Sequence, residues 1–312
     1  MLYREFGDLG WEVSSIGMGT WNIGNQWGEL DDATVWATVR AAFDSGMNLF
    51  DTAESYGIPN GLSEMRLGEA LSGIRHQVYL VSKIGNWGKR TGQGVPQNTV
   101  DMIRMCCHAC LHRLRTDWVD VMLCHVGDIG DPSVFLEAFD VLQQRGKIRA
   151  YGISTNDLEV LKRFNVDGNC SVVEANYSLL NTQPEQAFLP YCEEHGIAVL
   201  VRGPLRRGLL AGKYDLDTHF TDSVRDAFNP GGSQREQYME DIARLGRIKE
   251  VVEPGNEMVT AALRFVISHP ASPVAIPGCK SPAQARMNAA AGERTLADEE
   301  MATLREVLEG RE

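Results

Sequence analysis

No apolar run in the 312-residue chain approaches the roughly eighteen residues that a membrane-crossing helix needs, so no span is expected. Positive charge is in deficit: 30 lysines and arginines stand against 42 aspartates and glutamates, a net charge of −12. That balance argues against a surface built to neutralise a phosphate backbone, and nucleic acid is not an expected partner. It leaves room for a local basic pocket that takes one small phosphorylated ligand. The opening MLYREFGDLGWEV lacks a basic leader followed by an apolar stretch, so no secretory signal is expected and a cytoplasmic location is the default. Two cofactor loops are missing as well. No G-x-G-x-x-G follows the first β-prone run, which argues against a Rossmann domain. GLLAGKY lacks the upstream glycine and the hydroxyl residue after lysine that a P-loop requires. The seven cysteines, odd in number and unevenly spread, suit reduced thiols better than a disulfide framework.

What is present is a large core: 43% of residues are apolar and 8% aromatic. Even CCHACLH (Cys106–His112), which superficially resembles metal ligands, reads as core. Ile103, Cys107, Cys110, Leu111 and Leu114 recur at helical spacing as an apolar stripe, and no metal is expected there. Eight β-prone runs alternate with longer helical stretches. The runs are SSIGMGTW (14–21), MNLFDTA (47–53), VYLVSKI (78–84), WVDVMLCHV (118–126), IRAYGIS (148–154), CSVVEANY (170–177), IAVLVRGPL (197–205) and SPVAIPG (272–278). Between them, stretches such as DDATVWATVRAAFDSG open on acidic residues and close on glycine, as helices do. Near-continuous apolar strands joined by helices form a parallel sheet covered on its faces. Eight of them fit a closed (β/α)8 TIM barrel, a single domain over residues 1–312. YREFGDLGWEV predicts an N-terminal β-hairpin on the barrel floor. The polar segment from Lys213 to Glu253 predicts a long excursion over the mouth after the seventh strand.

In such a barrel the loops after the strands form the active face. The second strand ends at Asp51 with Tyr56 in its loop, the third at Lys83 and the fourth at His125. As a set these residues suit a proton donor. A phenol is a poor acid at neutral pH, an ammonium beside it is expected to lower its pKa, and a carboxylate holds the ammonium in place. An imidazole then orients the substrate oxygen or shares the proton. None of these groups supplies a hydride, so an organic cofactor must.

DTAESYG, the VSK lysine and the LCHV histidine resemble the catalytic tetrad of the aldo-keto reductases, in order and in strand position. The resemblance continues through GMGTW (17–21), GISTN (152–156), GPLRRGLLAGKY (203–214) and IPGCKSPAQARMN (276–288), nearly the whole chain. It implies reduction of aldehydes or ketones, sugar-type carbonyls among them, by a nicotinamide dinucleotide, with a small-molecule carbonyl or alcohol as partner. Tyr56 is then the proton donor, Lys83 and Asp51 its tuning pair, and His125 the orienting group. The implied cofactor contacts are Thr20, Trp21, Ser154, Asn156, Glu174, Arg202, Gly203, Pro204, Leu205, Gly208, Lys213, Gly278, Lys280, Gln284 and Asn288. Trp21 and Trp87 are the candidate substrate walls. Lys280 near the helix opening at Ser281 suits a 2′-phosphate, which favours NADP(H) over NAD(H).

Some positions depart from the family pattern. Ser154–Thr155–Asn156 stands where a serine–asparagine pair is usual, leaving open which side chain takes the asparagine role. Arg202 holds a place where an aromatic commonly stacks on nicotinamide; it either favours the reduced cofactor or points into the substrate pocket. IPGCK and Gln284 replace a common lysine–serine pair and arginine. Two rival readings remain: a Schiff-base lyase using Lys83, and a cofactor-binding regulatory subunit with little turnover. Oligomeric state is not legible.

Overall fold

Short runs of branched apolar residues, set between capped helices, pair in parallel in the computed structural model, which describes residues 1–253 and 255–309. β1 (Tyr3–Glu5) and β2 (Glu12–Ser14) form the expected antiparallel hairpin. The barrel strands follow: β3 (Met18–Gly19), β4 (Leu49–Asp51), β5 (Tyr79–Ile84), β6 (Val119–Cys124), β7 (Ile148–Ser154), β8 (Val172–Asn176), β9 (Ala198–Arg202) and β10 (Val274–Ala275). Each pairs in parallel with its neighbour in chain order. The ring closes because the Gly17 amide donates to the Ala275 carbonyl at 2.8 Å and the Ala275 amide donates to Ser15 at 3.1 Å. This is a (β/α)8 barrel.

Both strand faces are buried, as parallel sheets require. Along β6, Val121 and Leu123 join Leu49, Val81, Ala150, Val172 and Leu200 in one cluster, while Met122 and Cys124 pack with the helix side. Phe6 and Val13 of the hairpin belong to the first cluster, so the hairpin plugs the barrel floor. Gly152 is required where β7 meets β8: a Cβ there would lie 1.6 Å from the Val172 carbonyl oxygen.

The covering helices are α1 (Asp32–Asp44), α2 (Leu62–Ala70), α3 (Val100–Leu114), α4 (Ser133–Gln144), α5 (Leu158–Phe164), α6 (Phe188–Glu194), α7 (Arg235–Ile248), α8 (Asn256–Ile267), α9 (Pro282–Ala291) and α10 (Asp298–Glu309). Side-chain oxygens of Asp31, Thr99, Asp157 and Ser281 cap α1, α3, α5 and α9. The stripe on α3 is buried, and burial pushes the Cys107 thiol up to about 12. Among the described residues no helix is long and apolar enough to cross a membrane.

Two strands are shorter than the sequence suggests. Ser14 pairs with Tyr3 in the hairpin, so the first barrel strand retains only Met18–Gly19. The last is confined to Val274–Ala275, because Pro273 and Pro277 on either side lack an amide to donate. α2 was not legible as a helix; it is nine residues long, with a glycine inside. The tail ERTLADEEMATLREVLEG, which reads in sequence as a terminal helix, forms α10, and Gly310 at its end lies outside the described residues.

The segment after β9 builds a small core of its own from Leu209, Phe220, Phe228 and Tyr238. It then reaches across the mouth. The Ser223 hydroxyl donates to the Gln26 carbonyl at 3.3 Å, and the Arg225 guanidinium sits 5.5 Å from the Trp27 ring centre.

Candidate active site

Asp51 ends β4, Lys83 lies near the end of β5, and His125 follows β6 directly, so the strand register brings all three to one rim. Lys83 is fully buried. Its ammonium donates to Asp51 Oδ1 at 2.5 Å, to the Thr52 carbonyl at 3.0 Å and to Tyr56 Oη at 3.3 Å. The Tyr56 and His125 rings meet edge to face, centres 5.9 Å apart. The four groups expected to converge do converge.

A fifth charge completes the cluster. Glu174 of β8 lies on the same rung as Ser154, and its Oε2 sits 3.0 Å from the Lys83 ammonium, with neither side chain exposed. Two buried carboxylates therefore share one ammonium. Burial works against the charge on Lys83, but Asp51 and Glu174 outweigh it and hold its pKa above the ordinary value. Burial also raises Asp51, with Lys83 opposing and Glu174 adding to the rise.

Tyr56 departs from expectation. Its phenol is not made more acidic than usual; it is raised above its ordinary value. Burial is the largest cause, Lys83 opposes it, and the negative charge of Glu174 and Asp51 reinforces it. The lysine alone would lower the pKa, but it is already matched by two carboxylates. The resting phenol thus keeps its proton throughout the neutral range. His125 shifts downward, through burial and then the positive charges of Lys83, Arg202 and Lys89, so its imidazole is neutral at neutral pH.

These groups open onto a cleft of about 950 Å³. Trp21, Tyr56, Asn86 and His125 are among the residues that line it. Trp21 stacks on Tyr56 with centres 5.8 Å apart. Ser154, Arg202, Gly203, Pro204, Leu205, Gly208, Lys213, Gly278, Lys280, Gln284 and Asn288 line it as well. Four expected contacts lie elsewhere. Thr20 is buried, its hydroxyl donating to the Asp51 carbonyl at 2.8 Å. Glu174 faces Lys83 and not the cleft. Asn156 lies beside the cleft with its side-chain oxygen accepting from the Asn176 amide at 2.9 Å and from Arg202 at 3.0 Å. Trp87 does not wall the cleft; it packs under Arg113, 4.7 Å from ring centre to guanidinium. Thr155, the other residue in question beside Ser154, donates to the Gly127 carbonyl at 2.6 Å.

Other residues were not legible in advance. The Gln26 side-chain oxygen accepts from the Trp21 indole and from the Gly57 amide, both at 2.8 Å, pinning the tyrosine loop. Glu54, within DTAESYG, accepts from the Gly85 amide at 2.7 Å and the Trp87 amide at 3.1 Å, fixing the loop after β5.

The cleft gathers basic residues, two of which, Arg206 and Arg225, are paired with Asp241 and Asp222. Although the chain is acidic overall, Arg206, Arg207, Lys213, Arg225 and Lys280 all line it. Asn288 Oδ1 is buried there without a hydrogen-bond partner. A Cβ on Gly278 would lie 1.7 Å from Asn22 Oδ1, so that side chain would have to move aside. Ser281 caps the first turn of α9 beside Lys280, whose amine donates to the Trp27 carbonyl at 2.5 Å.

A comparison with protein families matches residues 15–309 to the Aldo/keto reductase family. Aldo-keto reductase YhdN of Bacillus subtilis is 31% identical over 291 residues, covering 91% of this chain and 86% of that protein. The holo form of aldo-keto reductase AKR11C1 from Bacillus halodurans superposes with a TM-score of 0.82 at 28% identity, covering 98% of this chain and 96% of the other. An aldo/keto reductase from Klebsiella pneumoniae, solved in complex with NADP and acetate, superposes at 0.71 with 29% identity, covering 98% and 95%.

Proposed function

This chain belongs to the aldo/keto reductase family, and from that premise we propose that it reduces aldehydes or ketones to alcohols with NADP(H), Tyr56 serving as proton donor. The observation that carries the reading is the Tyr56 hydroxyl 3.3 Å from a fully buried ammonium at the wall of a long basic cleft.

The bound nicotinamide supplies the hydride. The chain's own residues do the rest. As negative charge grows on the carbonyl oxygen, the phenol proton becomes the acid that meets it, and the Lys83 ammonium stabilises the phenolate left behind. Asp51 and Glu174 keep Lys83 charged and aimed. His125, neutral, orients the substrate oxygen by hydrogen bonding and carries no proton to donate as an imidazolium. Trp21 covers the reacting face and excludes water. Ser154, Gly203, Pro204, Leu205, Gly208 and Lys213 would hold the cofactor's nicotinamide and pyrophosphate, and Lys280, Gln284 and Asn288 its adenosine end. Asn288 Oδ1, buried and unpartnered, gains an acceptor's role there.

NADP(H) is favoured over NAD(H) because Lys280 stands beside the capped start of α9, where a 2′-phosphate gains both a cation and backbone amides. The complex of the Klebsiella pneumoniae relative with NADP supports the same choice. A lyase acting through a Lys83 Schiff base is disfavoured, because an amine held charged between two carboxylates is a poor nucleophile. Fluorescence titration with NADPH and NADH, followed by a panel of sugar and aromatic aldehydes, tests the reading. Saturable NADPH binding with aldehyde-dependent oxidation is expected. Tight binding without turnover on any carbonyl would favour a regulatory subunit, and no binding of either cofactor would reject both.

A further inference from the structure

We propose that the carbonyl substrate carries its own compact anion, a carboxylate or phosphate, held by Lys89 and Arg202 where the cleft meets Tyr56 and His125. The inference rests on the reductase reading and adds the substrate class to it. Of the basic residues that line the cleft, Lys213 and Lys280 are assigned to the cofactor, Arg206 and Arg225 are paired with Asp241 and Asp222, and Arg207 donates to Val224 and Gln234. Lys89, Arg90 and Arg202 line the same cleft as Tyr56 and His125. Among the described residues the only carboxylate lining that cleft is Asp51, whose charge is already met by Lys83 at 2.5 Å.

The three cations differ in what they have left to offer. Arg90 is spent on the Gly57 carbonyl at 2.7 Å and the Asn60 side chain at 3.1 Å. Lys89 stands in the turn Lys89–Thr91 after β5 and makes no ion pair among the described residues. Arg202, at the end of β9, is braced by the Asn156 side chain at 3.0 Å and lies 3.9 Å from Glu174 Oε1, yet its side chain remains 40% exposed. Bracing fixes the guanidinium plane while leaving donors free for a second partner, the arrangement that suits bidentate capture of an oxyanion. Arg202 lies 3.9 Å from Glu174, whose other oxygen is 3.0 Å from Lys83, and Arg90, next to Lys89 in the chain, donates to the carbonyl of Gly57 beside Tyr56, so both cations border the reaction centre. Lys89, without an ion pair among the described residues, and Arg202, paired only at 3.9 Å with Glu174 and still 40% exposed, favour substrates that bring a compensating charge.

Two matched pairs of aldehydes test this with NADPH as reductant: 4-carboxybenzaldehyde against its methyl ester, and glyceraldehyde 3-phosphate against glyceraldehyde. Within a pair the reacting carbonyl is the same and one charged group differs. The anion is expected to show a kcat/KM about tenfold or more above its neutral partner, most of it in KM, and the ratio should shrink as salt is added. Preference in one pair alone identifies which anion the site takes. Lys89→Gln should cut the favoured ratio by about tenfold, and Lys89→Arg should restore most of it. Ratios at or below one in both pairs, with the neutral aldehydes still reduced, would overturn the proposal and leave the reductase reading standing. A ratio unmoved by Lys89→Gln would equally overturn it. Failure to reduce any aldehyde would remove the reading on which it rests, and the proposal with it.

Discussion

Replacing Lys83 with methionine keeps the length of the side chain and removes the charge that two buried carboxylates share. In the native arrangement Asp51 lies 2.5 Å and Glu174 3.0 Å from the ammonium, and none of the three side chains is more than marginally exposed. Deleting one partner of a buried ion pair typically costs about 3–5 kcal/mol, because the remaining charge has lost its compensation. Here two charges lose it. Glu174 retains Arg202 at 3.9 Å, which places the expected loss near the lower end, about 3 kcal/mol. At roughly 2–4 °C per kcal/mol for a large domain, the melting temperature should fall by at least about 6 °C. The deficit also carries a pH signature. A carboxylate whose folded pKa lies above its unfolded value destabilises the fold where it is ionised, so the loss is full well above the folded pKa. It should fade as pH falls toward the ordinary carboxylate range and Asp51 protonates. Thermal unfolding followed by circular dichroism between about pH 5 and 8 reads both effects. Adding Glu174→Gln to Lys83→Met should recover part of the stability without recovering activity. A single variant that melts with the parent protein, or a deficit that does not vary with pH, would refute the shared-charge account of this site.

Four other outcomes follow from the same geometry. His125 has a folded pKa below its ordinary value of 6.5, so the unfolded chain binds more protons in the interval between the two. Stability from this residue is therefore complete above about pH 6.5 and is lost as pH falls below it; His125→Gln should flatten that limb of the melting curve. Cys107→Ala should cost about 1 kcal/mol of stability, measured by denaturant titration, and leave turnover nearly intact, since Cys107 is a core thiol far from protonation equilibrium at neutral pH. Gln26→Ala strips the Trp21 indole and the Gly57 amide of their shared acceptor, a penalty of about 1–3 kcal/mol, and steady-state kinetics should show a raised KM for the carbonyl. Lys280→Met should weaken NADPH binding by about tenfold in a fluorescence titration and leave NADH binding close to that of the parent.

Much of the barrel was legible because its code is local. Runs such as VYLVSKI are apolar on both faces, helices between them carry their own caps, and GDLG marks the hairpin. The rim residues followed from knowing which end of each strand faces the mouth. What escaped depended on distances between elements remote in sequence. Glu174 reads as a cofactor contact from its strand position, yet across the barrel it meets Lys83, and no local pattern announces that pairing. The direction of the Tyr56 shift was misjudged for the same reason: sequence shows the ammonium, whereas burial and the second carboxylate arise only on folding. Trp87 and Thr20 were assigned by proximity to strand ends, but a side chain's orientation there is set by its partners, Arg113 for one and the Asp51 carbonyl for the other. Gln26 carries no recognisable signal, because its role consists of accepting one hydrogen bond from the Trp21 indole and one from the Gly57 amide, a loop thirty-one residues on.

The most direct test of the central claim is a single-turnover measurement of NADPH oxidation by Tyr56→Phe with saturating aldehyde, alongside titration of both proteins with the cofactor. Removal of the one proton donor should leave NADPH affinity close to that of the parent and slow the chemical step by about a hundredfold or more. Equal rates in parent and variant would contradict the account, because the carbonyl oxygen would then be taking its proton from somewhere other than the phenol beside Lys83.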